Sequence, residues 1–238
     1  MPSRADVETL QAANRGLVTL ARRDLQAFWS TLDLTRPERA RDLLLEFMPA
    51  LVEQYGEVAA SVAADWYDDL RAAQRGPGGY RAQMASGAEV AAVQGSTRYG
   101  AGHLFTEAPS SMLPHLTLEV SRFVLQAGRN TLVQSASRDP WKPRWARVPS
   151  GAETCAFCLM LASRGPVYLS EAAAGKQGMN AYHGDCDCVP TPIFPTDDLP
   201  EGYDPDALYA QYEEARAVAG SHRTKDILSA LRQEQGIH

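Results

Sequence analysis

Cys155-Ala156-Phe157-Cys158 and His183-Gly184-Asp185-Cys186-Asp187-Cys188 hold all four cysteines of the chain, and how these two stretches act together decides the fold of everything around them. Two thiolates separated by two residues on a tight turn reach one tetrahedral ion, and a second Cys/His cluster across a loop completes its shell. Five donors, Cys155, Cys158, His183, Cys186 and Cys188, compete for four positions. Sulfur with imidazole selects Zn2+, and a filled shell gives it a structural role. Such a centre explains how a loop-rich unit poor in large apolar residues holds a shape. Three other readings compete. A redox Cys-x-x-Cys pair sits at a helix start after a strand in a βαβ unit, which this neighbourhood does not suggest. Disulfides need an oxidising compartment, and buried free thiols need no partner at all. A catalytic metal would require an open position and a general base, for which Asp185 is the candidate.

Before the first cysteine pair lies Asp139-Pro140-Trp141-Lys142-Pro143-Arg144-Trp145-Ala146-Arg147-Val148-Pro149-Ser150-Gly151. Its prolines preclude a regular helix, so extended chain begins a second unit there. Towards the amino terminus, residues 5–32 read as an amphipathic helix with Leu10, Leu17, Leu20, Ala21, Phe28 and Leu32 at three- and four-residue steps. Thr35-Arg36-Pro37-Glu38 opens a second helix, in which Leu44, Met48, Leu51, Tyr55, Val58 and Val62 keep the same rhythm through Trp66 and Leu70. Pro49 predicts a kink or break, and Arg75-Gly76-Pro77-Gly78-Gly79 ends the segment. A short helix is expected around Ala88 to Gln94. Ser110 or Ser111 caps a further one to about Ser137, with Leu113, Leu116, Val120, Val124, Leu125 and Leu132 along one face. Beyond Pro190, Pro192 and Pro195, Asp204-Pro205 starts a helix with Leu208, Tyr212 and Ala215, and Ser221 or Thr224 another with Ile227, Leu228 and Leu231. The expected fold is therefore α+β, mainly α: a helical region 1–137, a small loop-rich Cys/His zinc-binding unit 138–198, and short helices in a carboxy-terminal tail 199–238.

Composition sets the outer bounds. With 238 residues, 45% apolar and 22% charged, the chain has the make-up of a soluble globular protein, which excludes wholesale disorder, a collagen-like repeat and a coiled-coil rod. Its net charge of −6 disfavours phosphate binding driven by bulk charge. No apolar run reaches the roughly 18 residues of a membrane span. Met1-Pro2-Ser3-Arg4-Ala5-Asp6 lacks the order of a signal peptide, so the expected compartment is the cytoplasm.

Val148-Pro149-Ser150-Gly151-Ala152-Glu153-Thr154-Cys155-Ala156-Phe157-Cys158, together with Tyr182-His183-Gly184-Asp185-Cys186-Asp187-Cys188, resembles the phage Mu F-like minor head (minor capsid) proteins, in the form found in phages of actinobacteria. In that family a Ser/Gly-containing lead-in precedes C-x-x-C, and H-x-x-C-x-C follows after a variable loop. Here Gly184 stands where the family form carries proline, and Asp187 where it often carries arginine; the ligand positions are intact. The resemblance implies a few-copy virion component at the head interior or portal vertex, assembled in the host cytoplasm. Its implied partners are the portal protein and the major capsid or scaffold proteins, with a part in head assembly, DNA packaging or ejection.

Two further function classes have sequence features. In Arg138 to Arg147, Trp141, Lys142, Arg144, Trp145 and Arg147 interleave aromatic and cationic groups that can stack on bases and contact phosphates of packaged DNA. This is the basis for a zinc-dependent nucleic-acid-binding module. Against it, Trp141 and Trp145, four apart in extended chain, would pack on one face over the metal unit. A capsid maturation protease or other hydrolase is the enzyme alternative. No Gly-x-Ser-x-Gly elbow is present, and His103, His115, His222 and His238 read as surface or capping residues. Gly76-Pro77-Gly78-Gly79 lacks the Gly-Lys-Ser/Thr ending of a phosphate loop and reads as a turn.

Overall fold

The computed structural model of the chain describes residues 2–151, 154–167, 182, 186, 188–195 and 197–237. Helix α1 (Arg4–Trp29) starts at a capping box in which the Ser3 side chain accepts from the Asp6 N–H and the Asp6 carboxylate accepts from the Ser3 N–H. Helix α2 (Pro37–Arg75) has proline in its first turn and ends at Gly76, whose φ of 78° lies where a side chain would be strained. Helix α3 (Val90–Gly100) and two 3₁₀ turns (Ala101–Phe105 and Pro109–Ser111) lead into α4 (Met112–Arg138).

Helix α2 runs through Pro49 without a break. Proline removes the N–H that would bond the Leu45 carbonyl. The Gln94 side-chain amide of α3 donates to that carbonyl instead, at 3.4 Å, so the neighbouring helix supplies the missing partner. The expected short helix begins two residues later and extends further than Ala88–Gln94, and α4 begins at Met112 without a side-chain cap from Ser111.

Helix α4 is central. From Phe123 to Ala136 it is buried on several sides at once, which is why its small residues Ala127 and Gly128 matter as much as its large ones. One cluster packs Leu25, Leu44, Met48, Leu51, Met112, Leu116 and Val124 between α1, α2 and α4. A second joins Val7, Leu10, Tyr67, Leu132 and Val133 to Trp145, Val148, Val189 and Phe194 of the sheet region. Where α2 and α4 meet the sheet, the Asp139 carboxylate is fully buried. It accepts from Arg71 Nε (2.8 Å), the Tyr67 hydroxyl (3.1 Å) and the Trp141 N–H (2.9 Å).

Strands β1 (Arg144–Val148) and β2 (Val189–Ile193) form an antiparallel pair in register from Arg144↔Ile193 to Val148↔Val189. Pro190 and Pro192 stand two apart, so both ring nitrogens face the same edge, away from β1, and Val189, Thr191 and Ile193 are left to make the ladder. Residues 145–148 are buried on both faces. Trp145 and Arg147 therefore turn inward, each 1% exposed, while Trp141 is half exposed. Trp141 and Trp145 do not share a face because the chain is not extended between them: Lys142 has φ 50°, and its N–H returns to the Asp139 carbonyl. This corrects both the shared-face expectation and the surface role expected of Trp145 and Arg147.

Helix α5 (Ala156–Ala162) follows the first cysteine. Helices α6 (Pro205–Ala219), capped by the Asp204 carboxylate, and α7 (Thr224–Gln235) pack on it through Met160, Leu161, Ala215, Ile227 and Leu231. The chain is mainly α, with one two-stranded sheet among the described residues.

Candidate metal centre

The β1–β2 ladder ends at Val148↔Val189, so the chain leaving β1 and the chain entering β2 start side by side. Cys188 is the residue just before β2, and Cys155 is the N-cap of α5, seven positions beyond β1. Closing the ladder therefore brings the two cysteine stretches to one place, although the sequence separates them widely.

Cys155, Cys158, Cys186 and Cys188 are all buried and reduced, in a single cluster with Tyr182. The Cys158 and Cys186 Sγ atoms are 3.1 Å apart, and those of Cys158, Cys186 and Cys188 lie within 4.8 Å of one another. A covalent S–S bond would be about 2.05 Å. Sulfurs about 2.3 Å from a tetrahedral zinc would be about 3.8 Å apart, a spacing inside the range spanned by these three; Cys155 is not part of that group. The Cys155 sulfur accepts from the Cys158 N–H at 3.4 Å, the local geometry of a Cys-x-x-Cys turn entering a helix. His183, expected among the donors, and Asp185 lie outside the described residues.

Hydrogen bonds from Cys158 and Cys188 push the Cys186 thiol down into the thiolate form, with the charge of Arg129 adding to the effect. Cys158, bonded to Cys155, Cys186 and Cys188, is pushed up as the member holding the shared proton. A site that keeps sulfur electron pairs this close favours a cation to take the proton's place.

Among the described residues, two arginines border the cluster. Arg129 from α4 donates to the Cys186 carbonyl at 3.0 Å, and Arg147 comes from β1. Each guanidinium carbon lies 3.8 Å from the centre of the Tyr182 ring. Burial raises the Tyr182 hydroxyl to about 12, with both guanidiniums pulling the other way. Burial by itself would lower Arg147, but Tyr182, Cys188, Cys158 and Cys186 more than reverse it.

Spacing identified the cysteines. It missed Arg129, whose one signal is a charge within the small and apolar run of α4, and it gave Arg147 a surface role. A cleft of about 500 Å³ beside Arg122, Phe123, Arg129 and Tyr182 also went unread. Of the histidines read as surface or capping residues, His115 packs its ring under the end of α3, where a Cβ on Gly100 would collide with it, and its Nε2–H donates to the Ser96 carbonyl at 3.1 Å. His222 bonds Arg216, and His103 is exposed; His238 lies outside the described residues.

The profile of the VG15 protein family matches residues 1–215, and the chain belongs to that family. It is similar to the "Gene 15 protein" of Mycobacterium phage D29, 33% identical over 124 residues, and to that of Mycobacterium phage L5, 30% identical over 132 residues. Each match covers 40% of this chain and 45% of the relative, so the chain matches less than half the length of these curated phage proteins. No solved structure matches it. Among the described residues, no helix is long and apolar enough to cross a membrane.

Proposed function

We propose that this member of a bacteriophage protein family is a minor head protein of the Mu F-like kind, carried in the virion at the head interior or portal vertex. Its cysteine unit is closed by one structural zinc drawn from Cys155, Cys158, His183, Cys186 and Cys188, and its helical body docks on the portal and on capsid or scaffold proteins. The observation that carries this reading is the meeting of Cys158, Cys186 and Cys188 at one buried point. The two motif halves that resemble Mu F-like proteins thus work as one constellation, and the phage relatives support the same source. Zinc would supply a rigid closure of the chain between β1 and β2, because an all-protein shell leaves no position for substrate. Contact with packaged DNA at the tryptophan-rich segment falls to Trp141, Lys142 and Arg144, which are exposed.

Mass spectrometry of purified virions, with cross-linking to neighbouring proteins, tests the assignment. The expected result is this chain in substoichiometric amount relative to the major capsid protein and cross-linked to the portal. Absence from mature virions, or cleavage of capsid or scaffold protein by the purified chain, would refute it.

A further inference from the structure

We propose that Cys158 and Cys186 form a second, covalent closure of this unit. In the metal-free chain a low-molecular-weight disulfide of the oxidised-glutathione class enters through the cleft between α1 and α4, reacts at Cys186 and leaves a Cys158–Cys186 disulfide. The inference concerns the metal-free chain and stands apart from the zinc reading.

Separation and access carry it. The Cys158 and Cys186 Sγ atoms stand 3.1 Å apart, about 1 Å beyond a covalent S–S bond of about 2.05 Å. The fold itself sets this approach, because Cys158 rides on α5 while Arg129 of α4 holds the Cys186 carbonyl. A cleft of about 380 Å³, a size that admits a small molecule, lies between α1 and α4, where Arg22, Ser121, Leu125 and Cys186 line it. Cys186 is 7% exposed, whereas Cys158 is fully enclosed and Cys188 2% exposed. An incoming disulfide therefore meets Cys186 before either neighbour.

Thiol–disulfide exchange needs no further reactant. The Cys186 sulfur attacks one sulfur of the small disulfide, forming a mixed disulfide and releasing the first small thiolate. The Cys158 sulfur then attacks the Cys186 sulfur and expels the second. The protons of both cysteines pass to the released thiolates, so two cysteine thiols are oxidised and one disulfide is reduced to two thiols. The new bond fastens α5 to the chain entering β2. Sulfurs so joined no longer offer thiolates to a metal, so oxidant and zinc compete for the same pair.

Peptide mapping of the full natural chain tests this. Metal is stripped under reducing conditions, the reductant is removed and oxidised glutathione is added; free thiols are then counted and the linked peptides fragmented. The expected result is a fall from four thiols to two, with Cys158 joined to Cys186, and a slower fall on the zinc-loaded chain. Cys158→Ser should stop at glutathione attached to Cys186, and Cys188→Ser should still form the bond. Four thiols retained, a bond between any other pair, or the same bond forming as fast with zinc bound would overturn the inference. A chain that takes up no zinc yet forms the bond would overturn the zinc reading alone. Mapping of the natural chain needs no variant, so a misfolded mutant does not remove the test.

Discussion

Replacing Gly128 by alanine should destabilise the protein, whereas the same replacement at Gly56, across the same helix interface, should not. Both glycines sit mid-helix, Gly56 in α2 and Gly128 in α4, where alanine is intrinsically better by about 0.5–1 kcal/mol. At Gly56 the new Cβ would meet Ala127 Cβ at 3.7 Å and the Val124 carbonyl at 3.9 Å, ordinary contacts that let the helix gain come through. At Gly128 it would lie 2.8 Å from the Ala59 carbonyl oxygen and 3.3 Å from its carbon, both backbone atoms of α2. A carbon–oxygen contact relaxes at about 3.3–3.6 Å, so α2 and α4 must part by about half an ångström. Overpacking of that kind costs about 1–3 kcal/mol. Offset by the helix gain, the net loss is about 1–2 kcal/mol, a fall in Tm of about 2–8 °C at this chain length. Gly56→Ala should raise Tm by up to about 4 °C. Thermal and urea unfolding of the two variants, with the m-value unchanged, measures the difference. A Gly128→Ala protein as stable as Gly56→Ala would refute the close approach of α2 to α4, and with it the placement of Arg129 on the next residue.

Arg71→Met should cost about 3–5 kcal/mol, because it strands the fully buried Asp139 carboxylate, and urea unfolding should show part of that restored when Asp139 is replaced by leucine in the same chain. Burial, then the charge and hydrogen bond of Asp139, raise the Tyr67 hydroxyl well above its ordinary value. A raised folded value means stability fully present below about pH 10 and lost as pH rises further, so the urea midpoint should fall above about pH 10 and Tyr67→Phe should remove Tyr67's share of that fall. Chelator with reductant should speed amide exchange in β1, β2 and α5 while the α2–α4 interior stays protected; uniform protection throughout would count against a metal-closed unit.

The helices were legible because their apolar steps are local. Leu44, Met48, Leu51 and Tyr55 are all buried as their spacing requires, but the same rhythm placed Val58 and Leu20 inward, and both are more than 40% exposed. A period of 3.6 drifts off a three-and-four pattern over a helix as long as α2, so one turn of that stripe faces water. Pro49 misled for another reason: the donor that replaces its missing N–H comes from Gln94, on a different helix. The same limit governs the site. Cys-x-x-Cys and Cys-x-Cys announce themselves by spacing. Arg129 and Arg147 join them through tertiary contacts with Tyr182 and Cys186, across separations no local pattern reports. Trp145 and Arg147 looked like a surface for nucleic acid because composition shows which groups are near in sequence, not which way a doubly covered strand turns them.

Elemental analysis of the chain, purified in reducing buffer without chelator, addresses the cysteine clamp most directly. One zinc per chain, lost in Cys158→Ser, is the predicted ratio. A ratio near zero, with four titratable thiols and β1–β2 still protected from exchange, would contradict it.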